Sequence, residues 1–269
     1  MAVESSSGGR MLAAERRRRI LEMLAARPSV LVTEICEACG VSAVTARGDL
    51  DYLEGEGLLR RTHGGAVAIS DYLPARRPER DRHVQRAKRV LARRAAELVS
   101  DGETILVGSG TTTLEFVRAL RDREGLTLIS NDVDILIHAA RHLPDVTPIS
   151  TGGELDRSHC HLFGPILASS LSDVLLDKVF LGADGFEPSM GFLATLEMTA
   201  YAKVEFLRHA RRHVILMDSS KVGREEPGLR FARPDEVDVV VMDVDPGGVV
   251  SAACNAGERS VEVIEAMAP

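Results

Sequence analysis

The sequence predicts two domains of different build: a small N-terminal unit of three helices closed by a hairpin, then a larger α/β domain on a mainly parallel sheet. Three observations lead there. A chain of 269 residues is long enough for about two domains, each burying its own core. Apolar residues recur at helical spacing near the N-terminus, whereas strand-like and helix-like runs alternate from about residue 87 onward. Charge divides too: residues 1–90 hold 16 Lys and Arg against 12 Asp and Glu, a net +4, while residues 91–269 carry a net −11. Only the first part is suited to a polyanionic partner.

Residues 1–11 are polar and Gly/Ser-rich, without the basic-then-apolar order of a secretory leader, and are expected to be a disordered tail of a cytoplasmic protein. No apolar run approaches the roughly 20 residues of a membrane span, so no membrane partner is expected. Residues 12–69 form the first domain. Ile20, Leu21, Met23 and Leu24 recur at helical spacing among arginines, and Pro28 stops that helix. Thr33 is the expected N-cap of a short helix through Cys39, Gly40 and Val41 make a tight turn, and Ser42 caps a third helix running to about Glu54. Two helices joined by a Gly-containing turn form a helix-turn-helix. Residues 58–62 and 66–69 flank His63, Gly64 and Gly65 and read as a hairpin, the wing.

Residues 70–86, rich in Arg, Pro and Asp, are the expected linker. In residues 87–247, strand-like runs at 104–107, 126–129, 147–149, 179–181, 213–217 and 237–242 are separated mostly by helical stretches such as 90–98, 114–121 and 199–210. That alternation argues for a mainly parallel sheet covered by helices. Residues 248–269 are left as a C-terminal segment. The four cysteines are too few and too scattered for a disulfide framework, and Cys36 and Cys39 read as small buried hydrophobes, because no second pair completes a zinc site. Neither metal nor cofactor is expected.

Ser42, Thr45 and Arg47 on the third helix, with Arg60 and Arg61 in the wing, have the distribution of groove and phosphate contacts to double-stranded DNA. Residues 16–24 (RRRRILEML) and 41–66 (VSAVTARGDLDYLEGEGLLRRTHGGA) resemble the N-terminal signature of the DeoR family of transcriptional regulators nearly end to end. The resemblance implies a recognition helix carrying Thr45 and Arg47. Gly48 departs from the pattern, since the family usually has a basic or polar residue there. A glycine inside a helix costs about 1 kcal/mol relative to alanine.

Five predicted strands end in small or polar clusters, where an open α/β sheet binds its ligands. Residues 108–113 open a helix with glycines and hydroxyls, an arrangement that suits a phosphate, and Lys221 supplies a cation. The segments 88–96 (KRVLARRAA), 101–113 (DGETILVGSGTTT), 129–132 (ISND), 150–154 (STGGE), 180–185 (FLGADG), Glu197 and 218–221 (DSSK) are similar to the DeoR family's C-terminal domain. What this resemblance implies is a fold like ribose-5-phosphate isomerase and a phosphorylated-sugar effector. By the same carry-over, Ser109, Gly110, Thr111, Thr112 and Thr113 hold the phosphate, and Asn131, Gly152, Gly153, Asp184, Glu197 and Lys221 surround the sugar. Leu196 stands where the family often has a second carboxylate. His159 and His161 read as solvated loop residues.

The expected function is a DNA-binding regulator, a repressor of sugar-metabolism genes that binds an operator and acts as a homo-oligomer without catalysis. The rival is an isomerase-like enzyme on sugar phosphates with Glu197 or Asp184 as general base. A nucleotide-binding protein is a weaker reading, because neither a dinucleotide fingerprint nor a phosphate-binding Gly-Lys-Ser/Thr loop is present.

Overall fold

The computed structural model describes residues 11–26, 29–55, 58–62, 64–68, 78–157, 159–223, 228–257 and 259–267. The expected tail through residue 10, His63 in the hairpin turn and the expected linker from 70 through 77 lie outside the described residues. The chain divides into two units, residues 1–81 and 82–269.

The first unit contains α1 (Ala13–Ala26), β1 (Ser29–Leu31), α2 (Val32–Cys39), α3 (Ala43–Gly55), β2 (Leu59–Thr62) and β3 (Gly65–Ala68). Its core joins Ile20 and Leu24 of α1 to Ile35 and Cys39 of α2, Ala46, Leu50 and Leu53 of α3, and Leu59 of the wing. Cys39 is thus a core hydrophobe, and burial pushes its thiol pKa up. Gly40 turns the chain between the helices in the left-handed region, φ 63°, a conformation that costs glycine little. Ser42 caps α3 as expected, its Oγ accepting from Thr45 N at 3.3 Å. Thr33 does not cap α2. That helix starts at Val32, and the Glu34 carboxylate reaches back to accept from Leu31 N at 2.7 Å. The wing is three-stranded, in the order β1-β3-β2. β1 escapes the sequence pattern because it has three residues, of which Val30 alone is buried.

The second unit starts with α4 (Pro78–Ala96), β4 (Thr104–Val107), α5 (Thr111–Arg118), β5 (Leu126–Ser130), α6 (Val133–His142) and β6 (Val146–Ser150). Next come the short β7 (Glu154–Asp156) and β8 (His161–Phe163), then α7 (Pro165–Leu171) and β9 (Leu176–Gly182). The rest is β10 (Gly185–Glu187), β11 (Gly191–Ala194), α8 (Glu197–Arg208), β12 (Ala210–Leu216), β13 (Leu229–Ala232), β14 (Val239–Met242), α9 (Val249–Cys254) and β15 (Glu262–Glu265). Two boundaries differ from expectation. Residues 78–86 are helix rather than linker, the first turns of α4, and residues 248–269 supply α9 and an edge strand rather than a separate segment.

The main sheet has seven strands, β15-β14-β12-β9-β4-β5-β6, every pair parallel. Both faces are covered. Ile105, Val107, Phe180, Val214, Leu216, Val239 and Val241 point to one face with Leu91, Ala95 and Phe116. Leu106, Val179, Leu181, Ile215, Val240 and Met242 point to the other with Leu167, Phe206 and Val250. Strict alternation between two apolar faces explains why these strands read as unbroken hydrophobic runs. Phe116 stacks on Phe180 at 4.3 Å between centroids, seating α5 over β9. The chain steps one way from β4 through β5 to β6 and the other way from β9 through β12 to β15. The order therefore reverses between β4 and β9, where a doubly wound sheet opens a crevice at its carboxyl edge.

Candidate DNA interface and ligand site

Ala46, Asp49, Leu50 and Leu53 form the buried stripe of α3. At about 3.6 residues per turn, Val44, Gly48 and Asp51 then centre the opposite face, with Thr45 and Arg47 on its flanks. Arg47 is exposed and has no ion-pair partner among the described residues. Val44, 76% exposed, was missed by the sequence reading, although its position one turn before Gly48 follows from the helical period. The Ser42 and Thr45 hydroxyls bond each other at 3.0 Å. Arg61 pairs with Asp51 of α3, and its amide donates to Glu54 Oε1 at 2.7 Å, so the wing is tied to the helix it flanks. Arg60 pairs with Val67 through the backbone, and its side chain lies outside the described residues.

The run at 16–19 divides. Arg16 and Arg17 both bond the carboxylate of Asp49, Arg16 Nε at 2.7 Å and Arg17 Nε at 3.2 Å, and Arg17 lies 3.5 Å over the Tyr52 ring. Asp49 is 3% exposed, so this cluster is a buried clamp between α1 and α3. Arg18 and Arg19 pair with Glu22 at the surface.

At the reversal point of the main sheet, residues 108–110 lead from β4 into α5. Ser109 N donates to Asn131 Oδ1 at 3.1 Å and Gly110 N to Asp132 Oδ2 at 3.2 Å, so these two amides are already engaged. Thr113 is buried, its hydroxyl donating to Gly110 O at 2.8 Å. The first turn of α5 is left without a side-chain cap. Gly110 at the N-cap has no side chain to offer its amides. Beside Thr112, the Thr111 hydroxyl accepts a 2.8 Å hydrogen bond from Lys88 Nζ of α4. Uncapped amides, the Thr111 hydroxyl and an ammonium have the chemistry that suits an anion.

Asn131 also donates through Nδ2 to Leu162 O at 3.1 Å, fastening the end of β5 to β8. Asp184, at the end of β9, accepts from Thr195 N at 3.0 Å through Oδ2. Lys221 ends a short turn that Asp218 and Asp243 hold, Asp243 Oδ1 accepting from Ser219 N at 2.6 Å. Gly223 N bonds Phe186 O at 3.1 Å, which brings that turn against the segment after Asp184. Gly152 and Gly153 have φ 68° and 118°. A β-carbon on Gly153 would lie 2.4 Å from Phe163 O, so close packing on β8 accounts for that glycine without a ligand. Glu197 is exposed in the first turn of α8, where its neighbours Leu196, Met198 and Thr199 line one small depression with Asn131 and His161.

His161 is no solvated loop residue. It lies in β8, bridged to Asp132, with Nε2 3.7 Å from Asp132 Oδ2. Burial, then the charge of His159, lower its pKa to about 4 against the opposing charges of Asp156 and Asp184, so the ring is neutral at pH 7. Burial likewise raises the pKa of Asp132. Two lysines were missed. Lys88 starts the apolar stripe of Leu91, Ala92 and Ala95, and Lys203 stands between Ala200 and Phe206 on α8. A lysine in phase with buried residues was the legible signal.

Family models match both units: "DeoR-like helix-turn-helix domain" over residues 16–71 and "DeoR C terminal sensor domain" over residues 83–244. The putative aga operon transcriptional repressor of Escherichia coli O157:H7 is 30% identical, over 85% of this chain and 86% of that one. The lactose phosphotransferase system repressor of Staphylococcus epidermidis is 29% identical, over 83% and 89%. Among solved structures, ribose 5-phosphate isomerase A from Methanocaldococcus jannaschii aligns over 51% of this chain and 54% of its own, at 21% identity and a TM-score of 0.39.

Proposed function

Because the chain belongs to the DeoR family and is a DNA-binding transcriptional regulator, we propose that it represses sugar-metabolism genes and that a phosphorylated sugar sets its occupancy of a double-stranded operator. The observation that carries the effector is the uncapped first turn of α5 at the sheet's reversal point, with Lys88 on the Thr111 hydroxyl. Thr111 and Thr112 with the first-turn amides take the phosphate, Ser109 and Gly110 shape the loop through Asn131 and Asp132, and Gly152, Asp184, Glu197 and Lys221 surround the sugar. Ser42, Thr45, Arg47, Arg60 and Arg61 meet the operator. Repression is supported by the names of the two relatives.

The protein performs no chemistry on its effector in this reading. Asp184 accepts from Thr195 N and Glu197 is exposed at the start of α8, and the reading gives neither a proton-transfer role. A cytoplasmic location fits a regulator in which no described helix is long and apolar enough to cross a membrane. A homo-oligomer fits the exposed Ile166, Met198 and Tyr201 around an apolar cleft of about 560 Å³ between α7 and α8. The test is a thermal-shift screen of the full chain against sugar phosphates and their dephosphorylated counterparts, followed by operator binding with and without each hit. Equal stabilisation by a sugar with and without its phosphate, or steady turnover of the phosphate ester, defeats the proposal.

A further inference from the structure

We propose that Lys203 is a second anion subsite of the sensor pocket, and that the effector carries, besides the phosphate seated at α5, another anionic group: a second phosphate or a carboxylate. This rests on the sugar-phosphate reading above and narrows its ligand class. Lys203 is 3% exposed, on the inner face of α8 between Ala200 and Phe206. Among the described residues no carboxylate lies within 4.0 Å of its ammonium, which sits over the Phe231 ring, 4.9 Å from Nζ to the centroid. A buried ammonium without a counter-charge costs several kcal/mol unless something supplies one. A ring face offsets only about 0.5–2 kcal/mol of that.

The surroundings say where the missing charge belongs. Asp184 attracts the Lys203 ammonium, Lys221 repels it, and Lys203 in turn disfavours a proton on His161. Lys203 also lies one helical turn after Thr199, which lines the small depression with Asn131 and His161, so it belongs to the side of the pocket formed by α8 and β8. Burial is the largest influence on Lys203 and lowers its pKa. Asp184 accepts from Thr195 N, and its carboxylate is not within 4.0 Å of the Lys203 ammonium. A sugar monophosphate seated at α5 leaves the Lys203 ammonium without an ion pair, whereas a ligand with a second anionic group at its other end supplies one. A Lys held only for packing would tolerate replacement by an apolar isostere with no change in ligand choice.

The experiment compares matched ligands on the full chain at one fixed salt concentration: aldose and ketose monophosphates, their bisphosphates, and phosphorylated aldonic acids, by titration calorimetry. The wild type is expected to bind a bisphosphate or a phosphorylated acid at least about tenfold more tightly than its monophosphate partner, roughly the worth of one charge-assisted hydrogen bond. Lys203→Met should shrink that ratio to within about twofold while keeping monophosphate affinity, and Lys203→Arg should restore part of it. Bisphosphates alone gaining, or acids alone gaining, identifies the group, and either supports the proposal. Monophosphates and their bisphosphate or phosphorylated-acid partners within twofold in the wild type overturn it and leave the sugar-phosphate reading standing. So does a tenfold ratio that survives in Lys203→Met. If no phosphorylated compound binds, both readings fall together. Should Lys203→Met not fold, the wild-type ratio and Lys203→Arg still decide.

Discussion

Replacing Gly48 by alanine is expected to stabilise the N-terminal unit by about 0.8–1.0 kcal/mol, the difference between the two residues inside a helix. The structure supplies the reasons why little should offset it. Gly48 lies in the middle of α3, on the exposed face, and a β-carbon there would meet nothing within 4 Å. For a unit of 60–100 residues that gain corresponds to a rise of about 4–8 °C in the midpoint of its unfolding transition. Differential scanning calorimetry of the full chain, with urea unfolding as a second measure, reads it directly. Gly48→Arg keeps most of the helix gain and centres a cation on the face between Thr45 and Arg47. It should tighten operator binding and steepen the dependence of log K on log salt by about one. An unchanged or lower midpoint for Gly48→Ala would refute the helix argument, by showing that something approaches that face closely. A weaker operator complex for Gly48→Arg, with stability raised, would place the close approach at the DNA.

Arg47→Ala should cost about 1–3 kcal/mol of operator affinity with folding intact, by mobility shift at a stated salt concentration; unchanged affinity removes Arg47 from the interface. Thr111→Asp should abolish sugar-phosphate binding in calorimetry while the protein still binds operator, now insensitive to effector; retained binding would move the phosphate away from α5. Asp49→Ala should destabilise the N-terminal unit by about 3–5 kcal/mol, since it leaves Arg16 buried without its partner, and a loss below 1 kcal/mol in urea unfolding contradicts the clamp. His161, with a folded pKa of about 4 against 6.5 in the unfolded chain, gives an unfolded state that holds more protons between those values. Its share of stability is therefore complete above about pH 6.5 and declines as pH falls toward 4. His161→Gln should flatten that part of the pH profile of the unfolding midpoint, and an unaltered profile would mean that the ring is not held neutral.

The parallel sheet was legible because its strands alternate between two buried faces and so appear as continuous apolar runs, with Gly, Asn or Asp where each run ends. The helix-turn-helix was legible through Gly40 and Ser42, local signals whose effect is local. Apart from the wing hairpin of β2 and β3, the antiparallel pieces were not. β1, β7, β8 and β10 have three residues each, too few for a period of two to register, and they exist because neighbouring backbone is there to pair with. The same holds in the site. Ser109, Gly110, Asn131 and Lys221 could be picked out from strand ends, but Lys88 and Lys203 sit mid-helix, where a charged residue reads as solvated unless its phase with the apolar stripe is weighed. The clamp at Arg16 and Arg17 was not legible either, since Asp49, which both of them bond, lies more than thirty residues away in sequence.

Strands covered on both faces have a further consequence for how such a protein diverges. In β9 and β14 nearly every side chain from Leu176 to Gly182 and from Val239 to Met242 is held by packing on one side of the sheet or the other, so substitutions there are paid in stability whatever the effector. Beyond the carboxyl ends the exposed and half-buried positions carry no such debt, unlike Ser109, Thr113, Asn131 and Asp132, which are buried there. Thr111, Asp184 and Lys221 can be exchanged while the layers beneath them stay as they are. In the proposed reading, a change of effector is therefore written at a few positions of that rim.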